Sequence, residues 1–336
     1  MNVDIVLHFS FDITAAFSHC LFYKTIQCSN RDVCNMQSNL LSINPDEELK
    51  RITSLIADSM ADLRRDGAVI GFSGGLDSAT AAACTIQALG PDRVTLLSLP
   101  DRDSNPLHQR HAVAFASELG VPLVSHRITS AIRALGAYSL MPFGFIPFRK
   151  LREQAVRFVY KRKLSLSESD LIFERMNVTA GSWVARGNAY ASAKHRVRML
   201  FVYQYAEVHN CAVIGAANLT EWLTGSFSQW GVDHCADIMP LLHLFRTQVE
   251  QLAAAIGIPD YILHKAADPD LVPGIPDKGE LLGGFAKIDA ILHGLRADIP
   301  AQTLAQEYGL EAVTAVSRLV AASMRMRTIP RSLLAQ

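Results

Sequence analysis

A short apolar run at residues 68–72 leads directly into Ser-Gly-Gly-Leu-Asp-Ser at 73–78, and an alanine-rich stretch follows. This order is typical of a strand, a tight loop and a helix. Gly74 and Gly75 lack a Cβ atom, so the backbone can turn sharply and bring its N–H groups close to an anion. The positive end of the following helix would face the same place, and Ser73 and Ser78 would add hydroxyl donors. The loop is therefore predicted to bind phosphate.

Asp77 does not suit a simple phosphate site, because its carboxylate would repel the ligand. A Mg²⁺ ion between the carboxylate and the phosphates would reverse that effect. The stretch also differs from the common phosphate-binding loop, which requires G-x-x-x-x-G-K-[ST], since no lysine follows these glycines. We therefore predict a pyrophosphate site with a metal-binding Asp77. The alternative is an ordinary glycine-rich turn between a strand and a helix.

Apolar strands alternate with helical patterns along much of the chain. Strands are predicted at 68–72, 93–99, 121–126 and 211–215, and helices at 45–66, 106–119 and about 190–209. Such alternation is typical of parallel strand pairing. The predicted fold class is therefore α/β, with a doubly wound, mainly parallel sheet flanked by helices. Ligands of such sheets bind beyond the carboxyl ends of the strands, which is where residues 73–78 would lie.

The chain is predicted to form an N-terminal extension at 1–40 and one domain at 41–336. The extension is expected to be disordered, an additional strand and helix, or a dimer arm, or else not native, since Met36 opens a stretch more typical of a domain start. Residues 129–186 lose the alternation and include a basic segment at 149–163, which is either a solvated helix face or a cover over a polyanionic substrate. Residues 265–283 are rich in Pro, Gly and Asp. Both 137–186 and 265–283 are candidate lids. Helices are predicted beyond them at 285–295, 300–308 and 310–326, and before them at 244–256.

The overall charge argues against partners that are strongly charged. The 32 basic and 32 acidic residues give a formal net charge of zero, so neither nucleic acid nor a membrane surface would attract the chain electrostatically. No apolar run approaches the roughly 20 residues of a spanning helix. The six cysteines contain no C-x-x-C pair, which removes the usual zinc and dithiol sites. Scattered single thiols suit a reducing compartment, so a cytoplasmic protein is predicted. With no charge that favours nucleic acid or membrane, its predicted partners are small molecules.

Residues 73–78 resemble the pyrophosphate loop of the N-type ATP pyrophosphatases, which split ATP into AMP and pyrophosphate. From about residue 44 onward, the chain resembles one family of that superfamily, the ammonia-dependent NAD synthetases. The resemblance implies an adenine nucleotide alpha hydrolase-like, Rossmann-like fold. It is carried by Gly-Asn at 187–188, Arg-Val-Arg-Met at 196–199, Gly-Ala-Ala-Asn-Leu-Thr-Glu at 215–221, Gly-Ser-Phe-Ser-Gln-Trp-Gly at 225–231, Asp-Ile-Met-Pro-Leu at 237–241 and Leu-Phe-Arg-Thr-Gln-Val at 244–249.

This resemblance assigns roles to individual residues. It implies that Mg²⁺ is held by Asp77 and Glu221, and that the catalytic residues are Asp77, Ser78 and Arg246. The implied ATP contacts are Gly71, Ser73, Gly74, Gly75, Asp77, Ser78, Arg246 and Asp268. The implied contacts to the second substrate are Arg196, Gln229, Asp237, Arg325 and Met326.

The resemblance also implies a reaction. It indicates an ATP- and Mg²⁺-dependent amide ligase that adenylates the carboxylate of deamido-NAD, transfers ammonia to it and releases NAD, AMP and pyrophosphate. Family members pair as dimers, so a homodimer is expected. The chain departs from the family pattern at Ala216, Gln229, Asp268 and Met326. Because of these departures, two alternatives stay open: a related ATP pyrophosphatase that amidates or ligates a different carboxylate, and a non-catalytic nucleotide-binding homologue.

Overall fold

The computed structural model describes residues 41–163, 173–265 and 284–327, so the predicted extension at 1–40 lies outside the described residues. Within these ranges, four strands form one sheet with the order β3-β2-β1-β4. All three strand pairs are parallel. The strands are β1 (Gly67–Gly71), β2 (Val94–Ser98), β3 (Leu123–Ser125) and β4 (Cys211–Ile214).

Helices connect and follow the strands. Those before β4 are α1 (Pro45–Leu63), α2 (Leu76–Leu89), α3 (Pro106–Leu119), α4 (Thr129–Ala134), α5 (Arg149–Lys163) and α6 (Trp183–Val208). Those after it are α7 (Leu219–Thr224), α8 (Val232–Cys235), α9 (Arg246–Ala255), α10 (Asp260–Leu263), α11 (Phe285–Arg296), α12 (Ala301–Tyr308) and α13 (Leu310–Arg327).

Both faces of the sheet are covered by helices. Successive strand residues point to opposite faces, so Ala68 and Ile70 pack in one core cluster and Val69 packs in another. Ala212 and Val213 of β4 divide in the same way. The first cluster includes residues of α1, α2 and α9, and the second includes residues of α6. A third cluster joins α7 to α11, α12 and α13. The predicted doubly wound α/β class is confirmed.

Local capping moves two helix boundaries away from their predicted positions. Helix α1 ends at Leu63 rather than at the glycine, because Arg64 adopts a left-handed conformation with φ +53° and its N–H bonds to the Ala61 carbonyl. Helix α6 begins at Trp183, several residues before the predicted start near 190, because the Ser182 side chain accepts a hydrogen bond from the N–H of Ala185. Gly67, expected to end α1, instead begins β1.

The basic segment at 149–163 is the helix α5, and one of its arginines is buried. Arg152 is 1% exposed, and its Nε lies 2.9 Å from Oδ1 of Asp103. Its remaining nitrogens donate to the carbonyls of Ile146, Pro147 and Arg102. At this residue, therefore, the segment is not a solvated helix face, and α5 is tied to the loop that follows β2.

Arg152 belongs to a buried ion cluster, which we define as Asp101, Asp103, Arg152 and Lys194. Lys194 of α6 is fully buried, with Nζ 3.0 Å from Oδ2 of Asp101 and 2.5 Å from Oδ2 of Asp103. The hydroxyl of Tyr138 donates to Asp101, at 3.1 Å. Burial raises the pKa of Asp101, but the charges of Lys194 and Arg198 outweigh it and hold that pKa below its usual range. The cluster joins the carboxyl end of β2 to α5 and α6.

In the part of the chain that the structure describes, no helix is long and apolar enough to cross a bilayer. Cys84, Cys211 and Cys235 are free thiols. Burial raises the pKa of Cys84 to about 12, so this thiol stays protonated and is a poor nucleophile.

Candidate active site

The loop between β1 and α2 has the tight geometry that its sequence predicts. Gly74 has φ +71°, and a Cβ at this position would lie 2.6 Å from the carbonyl oxygen of His108. Gly75 is the N-cap of α2. Ser73 Oγ accepts a hydrogen bond from the N–H of Gly75 at 3.2 Å and lies 3.0 Å from Ser78 Oγ. The two hydroxyls therefore brace the loop at the positive end of α2.

Gly74→Ala is expected to lower the free energy of unfolding by about 1–3 kcal/mol, because alanine meets both an unfavourable φ and a backbone clash. Gly120→Ala is the matched control, since Gly120 has φ +65° but nothing lies within 4 Å of its added Cβ. Urea denaturation of both variants separates the clash from the backbone strain. Equal losses in the two variants would contradict a close approach at Gly74.

Asp77, in the first turn of α2, has both carboxylate oxygens engaged. Asn218 Nδ2 donates to Oδ1 at 3.1 Å, and Arg246 Nη1 donates to Oδ2 at 2.7 Å. Arg246 also donates from Nε to Glu250 at 3.1 Å. Burial lowers the pKa of Arg246, but the charges of Asp77, Glu250 and Glu221 outweigh it and raise that pKa. The structure thus brings together Asp77 and Arg246, two of the predicted catalytic residues.

Glu221 lies in the first turn of α7, close to Asp77. Asn218 caps this helix, since its Oδ1 accepts from the N–H of Glu221 at 3.0 Å while Glu221 Oε2 accepts from the N–H of Asn218 at 3.3 Å. Burial raises the pKa of Glu221 well above its usual value, and the charges of Asp77 and Asp233 raise it further. Asn218 therefore links the two carboxylates that were predicted to hold the metal.

Asp233 is an acid of this site that sequence reasoning missed. It lies in α8, and burial together with the charge of Asp77 raises its pKa to about 6. The sequence did offer one indication, because Asp233 lies between two stretches that carry the family resemblance, 225–231 and 237–241. Lys265 was missed as well: its Nζ donates to the carbonyl oxygen of Gly74 at 3.0 Å, which brings a cation to the loop.

Asp233→Asn is expected to stabilise the ligand-free protein above pH ~6 and to have no stabilising effect near pH ~4. A raised pKa means that the fold favours the protonated acid. The contribution of protonated Asp233 to the free energy of unfolding is fully present below the ordinary pKa of about 3.9. It is lost as the pH rises through about 6. Asparagine cannot ionise and so avoids that loss. The free energy of unfolding of the variant should therefore exceed that of the wild type by about 1–3 kcal/mol at pH ~8. Thermal unfolding across this pH range measures it, with Asp62→Asn on the exposed face of α1 as control; a gain that does not depend on pH would contradict the assignment.

The donor chemistry of this site fits a magnesium ion. Asp77, Glu221 and Asp233 supply carboxylate oxygens, the ligands that Mg²⁺ prefers, and their mutual repulsion would be relieved by a cation. Among the described residues, however, no three acidic, histidine or cysteine side chains converge in a metal-binding arrangement. Asp77 is paired with Arg246 instead. A Mg²⁺ site at Asp77 and Glu221 stays a prediction.

Two of the five predicted contacts to the second substrate are hydrogen-bonded to each other. Arg196 donates to the carbonyl oxygen of Gln229 at 3.2 and 3.3 Å, so these two are neighbours. Asp237 accepts from the N–H of Val213 at 2.8 Å and from the hydroxyl of Tyr203 at 3.0 Å.

The remaining two lie near the end of α13. Arg325 donates to Oδ1 of Asn177 at 2.5 Å. Met326 packs close to Gly225, where an added Cβ would lie 3.4 Å from its sulfur. Asp268 is outside the described residues. The roles of all these residues stay predictions.

The comparison with known protein families matches residues 48–146 and 149–330 to NAD synthase. The chain belongs to the NAD synthase family. An NH3-dependent NAD⁺ synthetase of Thermotoga maritima is 39% identical over 242 residues, which cover 72% of this chain and 84% of that protein. Membership makes the protein an enzyme, a ligase that forms a carbon–nitrogen bond, as the sequence predicted.

Solved structures of the NAD synthase family and a related enzyme share the fold. The NMN synthetase of Francisella tularensis superposes with a TM-score of 0.63 at 25% identity, covering 87% of this chain and 99% of that one. The NH3-dependent NAD synthetase of Campylobacter jejuni gives a TM-score of 0.62 at 18% identity, covering 87% of this chain and 100% of that one. The second similarity is one of fold alone, and it agrees with the predicted Rossmann-like, adenine nucleotide alpha hydrolase-like architecture.

Proposed function

We propose that the protein amidates the carboxylate of deamido-NAD with ammonia, using ATP and releasing NAD, AMP and pyrophosphate. The observation that carries the proposal is the meeting of Asp77, Arg246 and Glu221 at the carboxyl end of β1, beside the serine- and glycine-lined loop. This edge of a doubly wound sheet is where nucleotides bind. Family membership supports the same reaction.

In the proposed reaction, the acceptor carboxylate attacks the α-phosphorus of ATP and pyrophosphate leaves. The N–H groups of the loop and the hydroxyls of Ser73 and Ser78 bind the phosphates, and α2 directs its positive end at them. Arg246 and Lys265 add positive charge where negative charge builds on the leaving group. Asp77 and Glu221 would hold Mg²⁺, which when bound supplies further positive charge beside the phosphate oxygens.

Ammonia then attacks the acyl-adenylate, the amide bond forms and AMP departs. This mixed anhydride is hydrolysed readily, so the site has to exclude water during the reaction. Residues 137–186 are the proposed cover, and the buried ion cluster anchors the described part of this segment through Arg152. The second candidate lid, at 265–283, lies outside the described residues beyond Lys265.

A second candidate function is the amidation of a smaller carboxylate, the mononucleotide acid that would give NMN. Two of the groups implied to bind a dinucleotide already have partners within the protein: Arg196 on the carbonyl of Gln229, and Arg325 on Asn177. Gln229 and Met326 also lack the charge of the lysines found in the family pattern. An NMN synthetase that is 25% identical shares the fold, which makes this acceptor the specific alternative to test.

The test is amide formation by the full-length protein with ATP, MgCl2 and ammonium chloride, offered deamido-NAD, nicotinate mononucleotide or no acceptor. Faster formation of NAD than of NMN, with one AMP released per amide, is expected. Preferential formation of NMN would replace the first proposal with the second. ATP binding without AMP release in any arm would contradict both and would favour a non-catalytic nucleotide-binding protein.

We also propose that the enzyme is a homodimer, which the resemblance implied. Leu200 and Val208 of α6 are 62% and 74% exposed in the single chain, and burying such side chains favours association. Light scattering coupled to size-exclusion chromatography measures the mass, and a monomer at micromolar concentration would contradict the proposal. A cytoplasmic location stays a prediction.

A further inference from the structure

A cavity of about 640 Å³ lies against the helix that carries Glu221, on a face of α7 other than the one that holds the acid. Leu219, Trp222 and Leu223 of α7 line it, whereas Asn218 and Glu221 of the same short helix interact with the Asp77 site. None of the residues predicted to bind ATP or the second substrate lines it. Its remaining walls come from α1, the segment after β4 and the last turns of α11 and α13: Arg51, Ile52, Leu55, Met239, Leu242, His243, Arg296 and Arg327.

The cavity carries an excess of positive charge. Within the described residues, neither Arg296 nor Arg327 forms an ion pair with a carboxylate. Both residues line the same cavity, and burial together with the charge of Arg296 lowers the pKa of Arg327. Nε of Arg327 is buried without a hydrogen-bond partner in the described structure, while Nη2 donates to the Val320 carbonyl at 3.2 Å. These two cations lack the anion that would balance them.

The third arginine of the cavity is held differently. Arg51 Nη1 donates to Glu48 at 2.9 Å, and the same carboxylate contacts Nε2 of His243. Glu48 therefore balances one positive charge on this wall, while Arg296 and Arg327 have no carboxylate partner among the described residues. Each guanidinium group presents a planar fork of N–H donors that matches a carboxylate or a phosphate, and two such groups carry the charge that balances a phosphate dianion.

The rest of the wall is apolar. Leu55, Trp222, Leu223, Met239 and Leu242 contribute hydrocarbon or aromatic surface next to the arginines. A cavity of this size is within the usual range of small-ligand sites, which combine a mostly apolar lining with a few charged groups that fix orientation. A ligand that matches it has an anionic end and an apolar or aromatic body.

We propose that this cavity is a second ligand site, separate from the proposed ATP site, that binds a phosphate monoester carried on an aromatic or apolar body. The phosphate pairs with Arg296 and Arg327, and the body lies against Trp222 and the leucines. Nucleoside monophosphates and simpler aryl phosphates share this chemistry. The inference does not depend on which carboxylate the enzyme amidates.

The site is tested by isothermal titration calorimetry of the full-length protein with phenyl phosphate, AMP and inorganic phosphate. Phenyl phosphate is expected to bind at one site per chain, and AMP at this site in addition to the proposed ATP site. Inorganic phosphate is expected to bind at least about tenfold more weakly than phenyl phosphate, because it lacks the body that the apolar wall accepts. Equal affinities for inorganic and phenyl phosphate would overturn the proposed ligand class.

Two variants locate the binding. The double variant Arg296→Gln, Arg327→Gln removes the paired charges, and phenyl phosphate affinity should fall by at least about tenfold. Leu55→Glu places a carboxylate among the arginines at a position that is already 45% exposed, so it should fold even where the double variant does not. Arg133→Gln, an exposed arginine of α4, is the control and should bind as the wild type does.

AMP distinguishes this site from the proposed ATP site. In Leu55→Glu, AMP should still bind at the ATP site but should no longer bind in the cavity. Absence of phenyl phosphate binding to the wild type, or unchanged binding in folded Leu55→Glu protein, would overturn the proposal. Neither result bears on amide formation, so the site and the proposed function can fail independently.

Discussion

Replacing Asp77 by asparagine is expected to lower the rate of ATP–pyrophosphate exchange by about 10²–10³-fold or more, with little loss of folded protein. The carboxylate lies at the start of α2, between Asn218 and Arg246, and it is the best placed of the described acids to hold an ion beside the phosphates. Asparagine keeps the shape and can still accept from Asn218, but it removes the charge. Arg246 keeps its bond to Glu250, and removing the Asp77 charge relieves its repulsion of Glu221 and Asp233, so the loss should appear in the rate more than in stability.

The matched control is Asp58→Asn, which neutralises an exposed acid of α1. Exchange with labelled pyrophosphate and thermal unfolding should be measured on both variants. If Asp77→Asn keeps exchange within about threefold of the wild type, Asp77 neither holds a metal nor acts in adenylation. A large loss in the control would instead indicate a general effect of net charge.

Lys194→Met is expected to lower the free energy of unfolding by about 3–5 kcal/mol, because it breaks a buried ion pair from one side. The lysine is fully buried and lies within 3.0 Å of Asp101 and 2.5 Å of Asp103. Methionine fills much of the same volume, so the loss reports the uncompensated carboxylates rather than a cavity. Arg152 still pairs with Asp103 in this variant, so Asp101 is the carboxylate that loses its ion-pair partner.

Urea denaturation at pH ~7 measures this effect, and Lys50→Met, on the exposed face of α1, should change stability by less than about 0.5 kcal/mol. The pH dependence supplies a second check. The lowered pKa of Asp101 contributes stability above its ordinary pKa of about 3.9, and the wild type loses that contribution as the pH falls through the lowered value. The variant should therefore differ less from the wild type in acid than at neutral pH. A constant difference would contradict the ion-pair explanation.

Much of the fold could be predicted because it is encoded in local patterns. The apolar run before the Ser-Gly-Gly sequence is β1, the helix predicted at 106–119 is α3, and the predicted helices near the C-terminus match α11, α12 and α13 within two residues. Period-two and helical spacing are read from neighbouring residues, so no knowledge of tertiary contacts is needed.

The site was only partly predictable, because its electrostatics join residues that are far apart in sequence. Asp77 and Arg246 are 169 positions apart, and Asp103 and Lys194 are 91 apart. The resemblance supplied the first pair through motifs, but no motif marked the second. Asp233 was missed for the same reason, since its raised pKa depends on burial and on Asp77 rather than on its sequence neighbours.

The bonds that Asp237 makes at β4 protect an edge of the sheet. Its carboxylate accepts from the N–H of Val213, its own N–H donates to the Val213 carbonyl, and the following Ile238 forms a single parallel bridge with Ile214. These contacts occupy backbone groups on the outer edge of β4 that another strand would otherwise pair with. Another strand is therefore hindered from pairing with β4 at these groups, which protects this edge of the sheet from strand pairing between molecules.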